Sequence, residues 1–178
     1  MKRGLLLVTV GALLLPACAP QNTNYSIPRC NEFTDALVLA AQSVPTATKI
    51  PCLGALPAGW SEGPFRARDG STTFTLDSDR AGIEAVEVTL QRSCNFSRTT
   101  EVLSREPGID RFDHVALVDD AYSGVWYYLF SGGCTTYEFE FRGTGLTALI
   151  ADMDGALSFV DRKDLKADFE ERGLTMDP

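Results

Sequence analysis

The chain has 178 residues, with 16 Lys and Arg against 24 Asp and Glu, which gives a formal net charge of −8. Hydrophobic residues make up 44% of the sequence and charged residues 22%, a composition that excludes a disordered or collagen-like protein. The acidic balance disfavours a nucleic-acid binder, whose surface is normally basic. The single histidine, His114, excludes a His-rich metal site, and we expect neither a metal nor a cofactor.

The first 17 residues have the pattern of a secretory signal peptide. Lys2 and Arg3 form a positive head, followed by an apolar run over residues 5–15. That run is too short to cross a hydrocarbon core of about 30 Å as a stable transmembrane helix. We therefore predict that residues 1–17 are removed on export.

The end of this segment, Leu15-Pro16-Ala17-Cys18, resembles the bacterial lipobox. In that motif an aliphatic residue and then a small residue precede a cysteine that becomes the first residue of the mature protein. The resemblance implies cleavage before Cys18, acylation of its thiol, and anchoring to the cell membrane on the extracytoplasmic side. The alternative is ordinary secretion, with cleavage after the Ala17-Cys18-Ala19 triplet.

The other four of the five cysteines are Cys30, Cys52, Cys94 and Cys134. An even number in an exported chain predicts two disulfides, and the lack of CxxC spacing disfavours a zinc site. Four cysteines can pair in three ways, and we favour the pairing Cys30–Cys52 with Cys94–Cys134. Cys30–Cys52 would tie the ends of the first helical segment, and Cys94–Cys134 would join two predicted strands. The even count independently supports lipidation at Cys18.

The mature chain divides into a short tether and one domain. Residues 18–29 are polar and flanked by proline, which predicts a flexible tether before a single domain over residues 30–178. Apolar residues at helical spacing predict a helix over about 33–43, capped by Asn31 or Thr34.

The rest of the domain predicts an α+β fold. A loop bounded by prolines at 45, 51 and 57 precedes alternating patterns from about 53 to 142, which predict an antiparallel sheet of five to seven strands. One apolar stripe over 146–160 predicts a helix, and a second helix begins at Asp161 with Asp164 at a capping-box offset. The two C-terminal helices and the N-terminal helix are expected to pack on one face of the sheet.

Five side chains are candidate ligand-binding residues. The aromatic segment over 122–141 predicts mainly a sheet core, from which Tyr122, Tyr127 and also Trp60 are expected to reach solvent. Such residues would contact a glycan, a lipid tail or an apolar patch of a partner. Arg66 and Arg68 form a candidate anion site together with three further arginines, although scattered arginines more often form a solvated face. Those three are Arg98, Arg105 and Arg111.

Catalytic and metal sites are poorly supported. Asp113 and His114 are adjacent, so on a strand their side chains point to opposite faces and do not form a base and its orienting carboxylate. No G-x-S-x-G motif surrounds Ser104, Ser123 or Ser131. Asp152-Met153-Asp154-Gly155 has the start of a calcium-loop pattern without its remaining ligands, and fits an amphipathic helix instead. We assign no catalytic residue.

The order of Cys30, an early helix, Leu56-Pro57-Ala58-Gly59-Trp60, a sheet and terminal helices resembles small actinobacterial lipoproteins of unassigned role. That resemblance implies no activity. We predict a non-catalytic binding or structural module of the cell envelope. Its partners are the membrane, through Cys18, and an envelope ligand or protein, but not nucleic acid. The alternative is an extracytoplasmic hydrolase-like enzyme that uses His114 and nearby acidic residues.

Overall fold

A seven-stranded antiparallel sheet forms most of the protein. The computed structural model describes residues 25–32, 34–118, 121–142, 144–173 and 175. The elements are α1 (Asp35–Ser43), β1 (Lys49–Leu53), β2 (Trp60–Arg68), β3 (Ser71–Ser78), β4 (Gly82–Gln91), β5 (Thr100–Val102), β6 (Asp110–Val118), β7 (Ala121–Phe130), β8 (Gly133–Arg142), α2 (Leu146–Ala156), β9 (Leu157–Asp161) and α3 (Arg162–Glu171). The main sheet has the order β2-β3-β4-β8-β7-β6-β5, and β1 and β9 form a separate antiparallel pair. No helix in these residues is long and apolar enough to cross a membrane.

The inner face of the main sheet carries the core. Phe74, Val88, Tyr137 and Trp126 lie in one cross-strand row from β3 to β7, and all four are buried. Helices α1 and α2 and the β1–β9 pair contact this side of the molecule, and α3 packs against β9. The predicted antiparallel sheet and its three helices are therefore confirmed, although strands dominate the fold more than an α+β description implies.

Helix α1 begins where the sequence pattern predicts. Thr34 is the N-cap, and its hydroxyl accepts a hydrogen bond from the backbone N–H of Leu37 at 3.2 Å. Leu37, Ala40 and Ala41 are buried on one side of the helix. Of the two predicted caps, Thr34 is confirmed.

The apolar stripe over 146–160 is not one helix. Helix α2 ends at Ala156, and the following residues form β9, which pairs with β1 inside the predicted proline-bounded loop. Phe159 fixes this arrangement, because its ring lies 5.3 Å from that of Tyr128 and 6.1 Å from that of Tyr137. Pro51 is tolerated opposite Phe159 because an edge position does not require its missing N–H.

The predicted capping box of α3 is absent. Asp161 occupies the N-cap position but makes no side-chain cap hydrogen bond. Its carboxylate instead forms an ion pair with Lys49 Nζ at 3.0 Å across the β1–β9 pair. The ion pair with Lys49 therefore takes the place of the cap hydrogen bond that we predicted at the start of α3. Gly173, which follows the end of the helix, has a positive φ of 73°, as is typical of a glycine at that position.

Both favoured disulfides are present. Cys30 and Cys52 have Cα atoms 5.1 Å apart, and Cys94 and Cys134 have Cα atoms 6.1 Å apart. Cys134 lies in β8, but Cys94 follows the end of β4. The second bond therefore ties a loop to a strand, where we expected a bond between two strands.

The segment just before Cys30 is part of the domain. Ile27 is fully buried and Pro28 is buried. The backbone of this segment pairs with the end of β1, since Leu53 N–H donates to the Pro28 carbonyl at 2.8 Å and Cys30 N–H donates to the Leu53 carbonyl at 3.0 Å. The predicted flexible tether is therefore wrong for residues 25–29, because the burial of Ile27 and Pro28 and the hydrogen bonds to β1 hold this segment on the domain.

Candidate binding surfaces

The outer face of the main sheet, opposite the core, carries a straight polar row. Six side chains from six adjacent strands share this row in cross-strand register: Arg66, Thr73, Thr89, Thr136, Tyr127 and Phe112. The Thr73 and Thr89 hydroxyls are hydrogen-bonded at 3.1 Å, and both residues are half-buried. The row thus offers hydroxyl groups at its centre and an aromatic ring, Tyr127, near one end.

A strap, residues 92–99, crosses this outer face because β4 and β5 are separated by three strands in the sheet. The disulfide holds Cys94 of the strap on β8. Further along, the Phe96 ring packs 4.9 Å from that of Phe112, and the Arg98 carbonyl lies 3.0 Å from His114 Nδ1. The strap therefore borders the aromatic end of the polar row.

A basic corner lies at the other end of the row. Arg66 and Arg68 on β2 are exposed, and within the described residues neither forms an ion pair. Arg92 lies beside the β2–β3 turn, 3.4 Å from Asp69 in that turn. These three arginines, with one carboxylate among them, leave a positive corner on an acidic protein.

The five candidate arginines do not converge. Arg66 and Arg68 remain together, but Arg98 lies in the strap beside β6. Arg105 and Arg111 both bind Asp154 of α2 and are occupied by that contact. Of the predicted anion site, the structure brings together only Arg66 and Arg68.

The acidic counterpart lies beyond the polar row. Glu87 of β4 is directly opposite Glu138 of β8, and both are exposed. Together with Glu84, Glu140 and Ser123 they line a surface depression of about 450 Å³. Like charges in direct opposition destabilise a strand pair. Over the residues that the structure describes, no group of three or more His, Cys, Asp or Glu side chains is arranged to hold a metal ion.

Asp113 and His114 do not act on each other. Asp113 points to the inner face and accepts two hydrogen bonds from Arg111, at 2.8 and 2.9 Å. His114 is exposed on the outer face, and in the described part of the chain its ring forms no ion pair with a carboxylate. This confirms that the pair lacks the geometry of a base and its orienter.

Arg111 is the centre of an inner-face ion cluster. Besides Asp113 it binds Asp154 of α2 at 3.1 Å, and its guanidinium lies 3.9 Å from the Trp126 ring centroid. Burial lowers the pKa of Arg111, but the hydrogen bond to Asp113 and the neighbouring charges raise it by more. The contact with Asp154 holds α2 on the sheet, and those with Asp113 and Trp126 fix the guanidinium there, so we assign the cluster a structural role.

Trp60 does not reach solvent as predicted. It is only 6% exposed, and its Nε1–H donates to Asp152 Oδ2 at 3.3 Å. Arg80 binds the same carboxylate. Asp152 and Asp154, the start of the calcium-like pattern, are thus occupied in docking α2 at two points. A tryptophan at the beginning of an edge strand is buried here because a helix packs over it.

The two candidate tyrosines lie on opposite faces. Tyr122 is half-buried on the inner side, stacked 5.3 Å from Phe139, and burial raises its pKa. Tyr127 is half-buried on the outer face in the polar row. The three threonines of that row could not be predicted from local sequence patterns, because only the strand register brings Thr73, Thr89 and Thr136 into line.

Comparisons with known proteins give no match: no protein-family model, no curated protein and no solved structure is similar to this chain. The class of the protein therefore has to be argued from its own residues.

Proposed function

We propose that this protein is an exported lipoprotein, anchored through acyl chains on Cys18 to the extracytoplasmic side of the cell membrane. The observation that carries the proposal is the pairing of Cys30, Cys52, Cys94 and Cys134 in two disulfides. Disulfides of this kind form and persist in oxidising compartments. Their pairing leaves Cys18 as the one remaining thiol of the sequence, at the position that the lipobox-like motif assigns to the lipid. Two or more acyl chains are sufficient for stable anchoring.

The folded domain, in this proposal, is a non-catalytic binding or structural module. Its candidate surface is the outer face, where Tyr127 and the threonine row supply an aromatic ring next to hydroxyl groups. A ring of that kind packs on the apolar side of a sugar or a similar ligand while hydroxyl groups bond its polar edge. An envelope glycan or protein is therefore the class of ligand we propose.

Intact and peptide mass spectrometry of the unreduced protein, extracted from membranes of its native host, tests the anchor. We expect an N-terminal peptide that begins at acylated Cys18, and two disulfides in the remainder. A Cys18→Ala variant should lose the acyl mass and leave the membrane fraction. A wild-type protein that is cleaved elsewhere, with Cys18 absent or unmodified, would refute the lipoprotein proposal.

Binding is tested with the purified chain and a panel of wall fragments and glycans from the same host. A ligand at one hundred times its Kd stabilises a protein by about 2.7 kcal/mol, which is readily seen in thermal unfolding. We expect at least one fraction to raise the Tm of the wild type but not that of Tyr127→Ala. Tyr122→Ala, on the inner side, is the matched control and should still respond to the ligand. Unchanged Tm values over the whole panel, together with clean pull-downs, would count against a binding module.

The second candidate function is an extracytoplasmic enzyme that uses His114. Its one favourable feature is that the His114 ring is exposed. The adjacent Asp113 is bound to Arg111 on the other face, so the pair is not arranged for proton transfer. Complementation of a deletion strain with His114→Ala decides the matter: full complementation removes the enzyme hypothesis, and loss of function by a normally folded variant would favour it.

A further inference from the structure

The N-terminal segment runs along β2 toward the basic corner. Arg29 forms an ion pair with Glu62, and the backbone N–H of Ile27 donates to the same carboxylate at 3.2 Å. Two residues earlier, the Tyr25 ring lies 6.3 Å from that of Phe65, which is further along β2. Followed backwards from Arg29, the chain therefore advances from Glu62 toward the end of β2 that carries Arg66 and Arg68.

The distances put this end of β2 close to the proposed lipid anchor. Six residues lie between Cys18 and Tyr25, so the two Cα atoms are at most about 25 Å apart, the length of seven fully extended steps. Arg68 lies three residues beyond Phe65, which is about 10 Å along a strand. In a domain anchored at Cys18, this corner therefore lies close to the bilayer surface, because only the short segment between Cys18 and Tyr25 separates them.

The charge of the corner complements an anionic bilayer. Arg66 and Arg68 are exposed and form no ion pair in the part of the chain that is described, and Arg92 stands beside them with Asp69. Three arginines and one aspartate give the corner a net charge of +2 in a chain with a net charge of −8. A negative surface therefore attracts this corner, although it repels the net negative charge of the chain as a whole.

We propose that Arg66 and Arg68 bind the phosphate groups of anionic phospholipids and turn this corner of the domain toward the membrane. This inference rests on the proposed lipid anchor at Cys18. A guanidinium group suits the task because its fork of N–H donors matches phosphate oxygens. The docking leaves the far end of the outer face, with Tyr127, free for a ligand.

The test uses the mature protein from host membranes, reconstituted into vesicles of phosphatidylcholine alone or with added phosphatidylglycerol. Hydrogen–deuterium exchange is followed in the peptide that covers β2 and the β2–β3 turn. Each arginine near an anionic surface favours the bound orientation by roughly fivefold. We therefore expect exchange in this peptide to slow severalfold in anionic vesicles only, and to recover at high salt because the attraction is screened.

Variants separate a specific contact from general electrostatic attraction. Arg66→Glu and Arg68→Glu are expected to abolish the protection. Arg98→Glu, an exposed arginine at the opposite edge of the sheet, changes the net charge equally and should keep the protection. Equal exchange in neutral and anionic vesicles, for protein whose acylation at Cys18 is verified by mass, overturns the headgroup contact and leaves the lipoprotein proposal standing. Protein that carries no acyl group overturns both.

Discussion

The stability of an Ile27→Ala variant shows whether the chain before Cys30 belongs to the folded domain. Its side chain is fully buried, although the composition around it is that of a tether. Truncating a buried isoleucine to alanine costs about 2–5 kcal/mol, from lost transfer free energy and the cavity that remains. In a chain of this size each 1 kcal/mol lowers the Tm by roughly 2–4 °C. Ile27→Ala should therefore lower the Tm by about 4 °C at the least, and by considerably more if the site does not collapse.

The matched control is Ile83→Ala, since Ile83 is 85% exposed. A substitution at such a surface position usually changes stability by no more than about 0.5 kcal/mol. Both variants are to be compared with the wild type by urea unfolding with the disulfides intact, using the midpoint at constant m-value. For Ile83→Ala we expect a free energy of unfolding within about 0.5 kcal/mol of the wild type. If Ile27→Ala also stays within this range, residues 25–29 are a tether. The direction of approach to β2 would then have no basis.

Three further predictions concern the inner face and the turns. Asp154→Ala should cost about 1.5–3 kcal/mol, because it removes a charged hydrogen bond from the half-buried guanidinium of Arg111. Arg142→Ala breaks an exposed ion pair and should cost at most about 1 kcal/mol. Equal costs in urea unfolding would contradict the structural role of the cluster. Burial raises the pKa of Tyr137 above the ordinary tyrosine value of 10.0, because the buried site favours the neutral phenol. The stability that the neutral phenol contributes is therefore complete below pH 10.0, and it is lost as the pH rises from there toward the raised pKa. Tyr137→Phe should accordingly shift alkaline unfolding, followed by circular dichroism, to higher pH; an unchanged midpoint would show that this hydroxyl does not govern it. Gly70→Ala should cost about 1–2 kcal/mol, because alanine there would have to adopt a left-handed backbone conformation. Gly132→Ala should cost more, because its Cβ would also overlap a neighbouring carbonyl. Thermal unfolding of the two variants checks this order, and an equal or smaller loss for Gly132→Ala would contradict it.

The sequence predicted those parts of the fold that depend on local signals. The cap at Thr34 and the alternating pattern of the sheet strands both rest on short-range chemistry, and the structure contains the cap and the antiparallel sheet. The favoured disulfide pairing is also present, although the sequence left three connectivities open. Caps and strand alternation are decided within a few residues, so a sequence pattern is sufficient to find them.

The errors occur where a distant partner decides the conformation. The segment Leu157–Asp161 continues a helical stripe, but pairing with β1 and packing of Phe159 make it a strand. Asp161 caps poorly because Lys49, far away in sequence, binds it. Trp60 is buried because α2 carries a carboxylate to its indole N–H. Hydrophobic periodicity contains no information about such partners.

The candidate surface shows the same division. Arg66 and Arg68 were predicted only among five candidate arginines, and these two stay together because alternate residues of one strand share a face. The threonine row was not predicted, since Thr73, Thr89 and Thr136 become neighbours only through the order and register of three strands. The position of the basic corner relative to Cys18 likewise depends on the docking of Tyr25 against Phe65.

The strap has a consequence for how the sheet assembles. Strands β2 to β4 form one meander of consecutive hairpins in the main sheet, and β5 to β8 form another, so most strand pairs of this sheet join neighbours in sequence. Within this sheet the β4–β8 pair is the exception, because it joins residues 86–91 to residues 134–139. This non-local pair is the seam between the two meanders. Its formation costs more loop-closure entropy than that of the local hairpins, so we expect it to form last. The Cys94–Cys134 bond sits at one end of this seam and closes the same loop covalently. In an oxidising compartment this bond therefore joins the two meanders into one sheet, whereas in a reducing compartment only the strand pairing at the seam would hold them together.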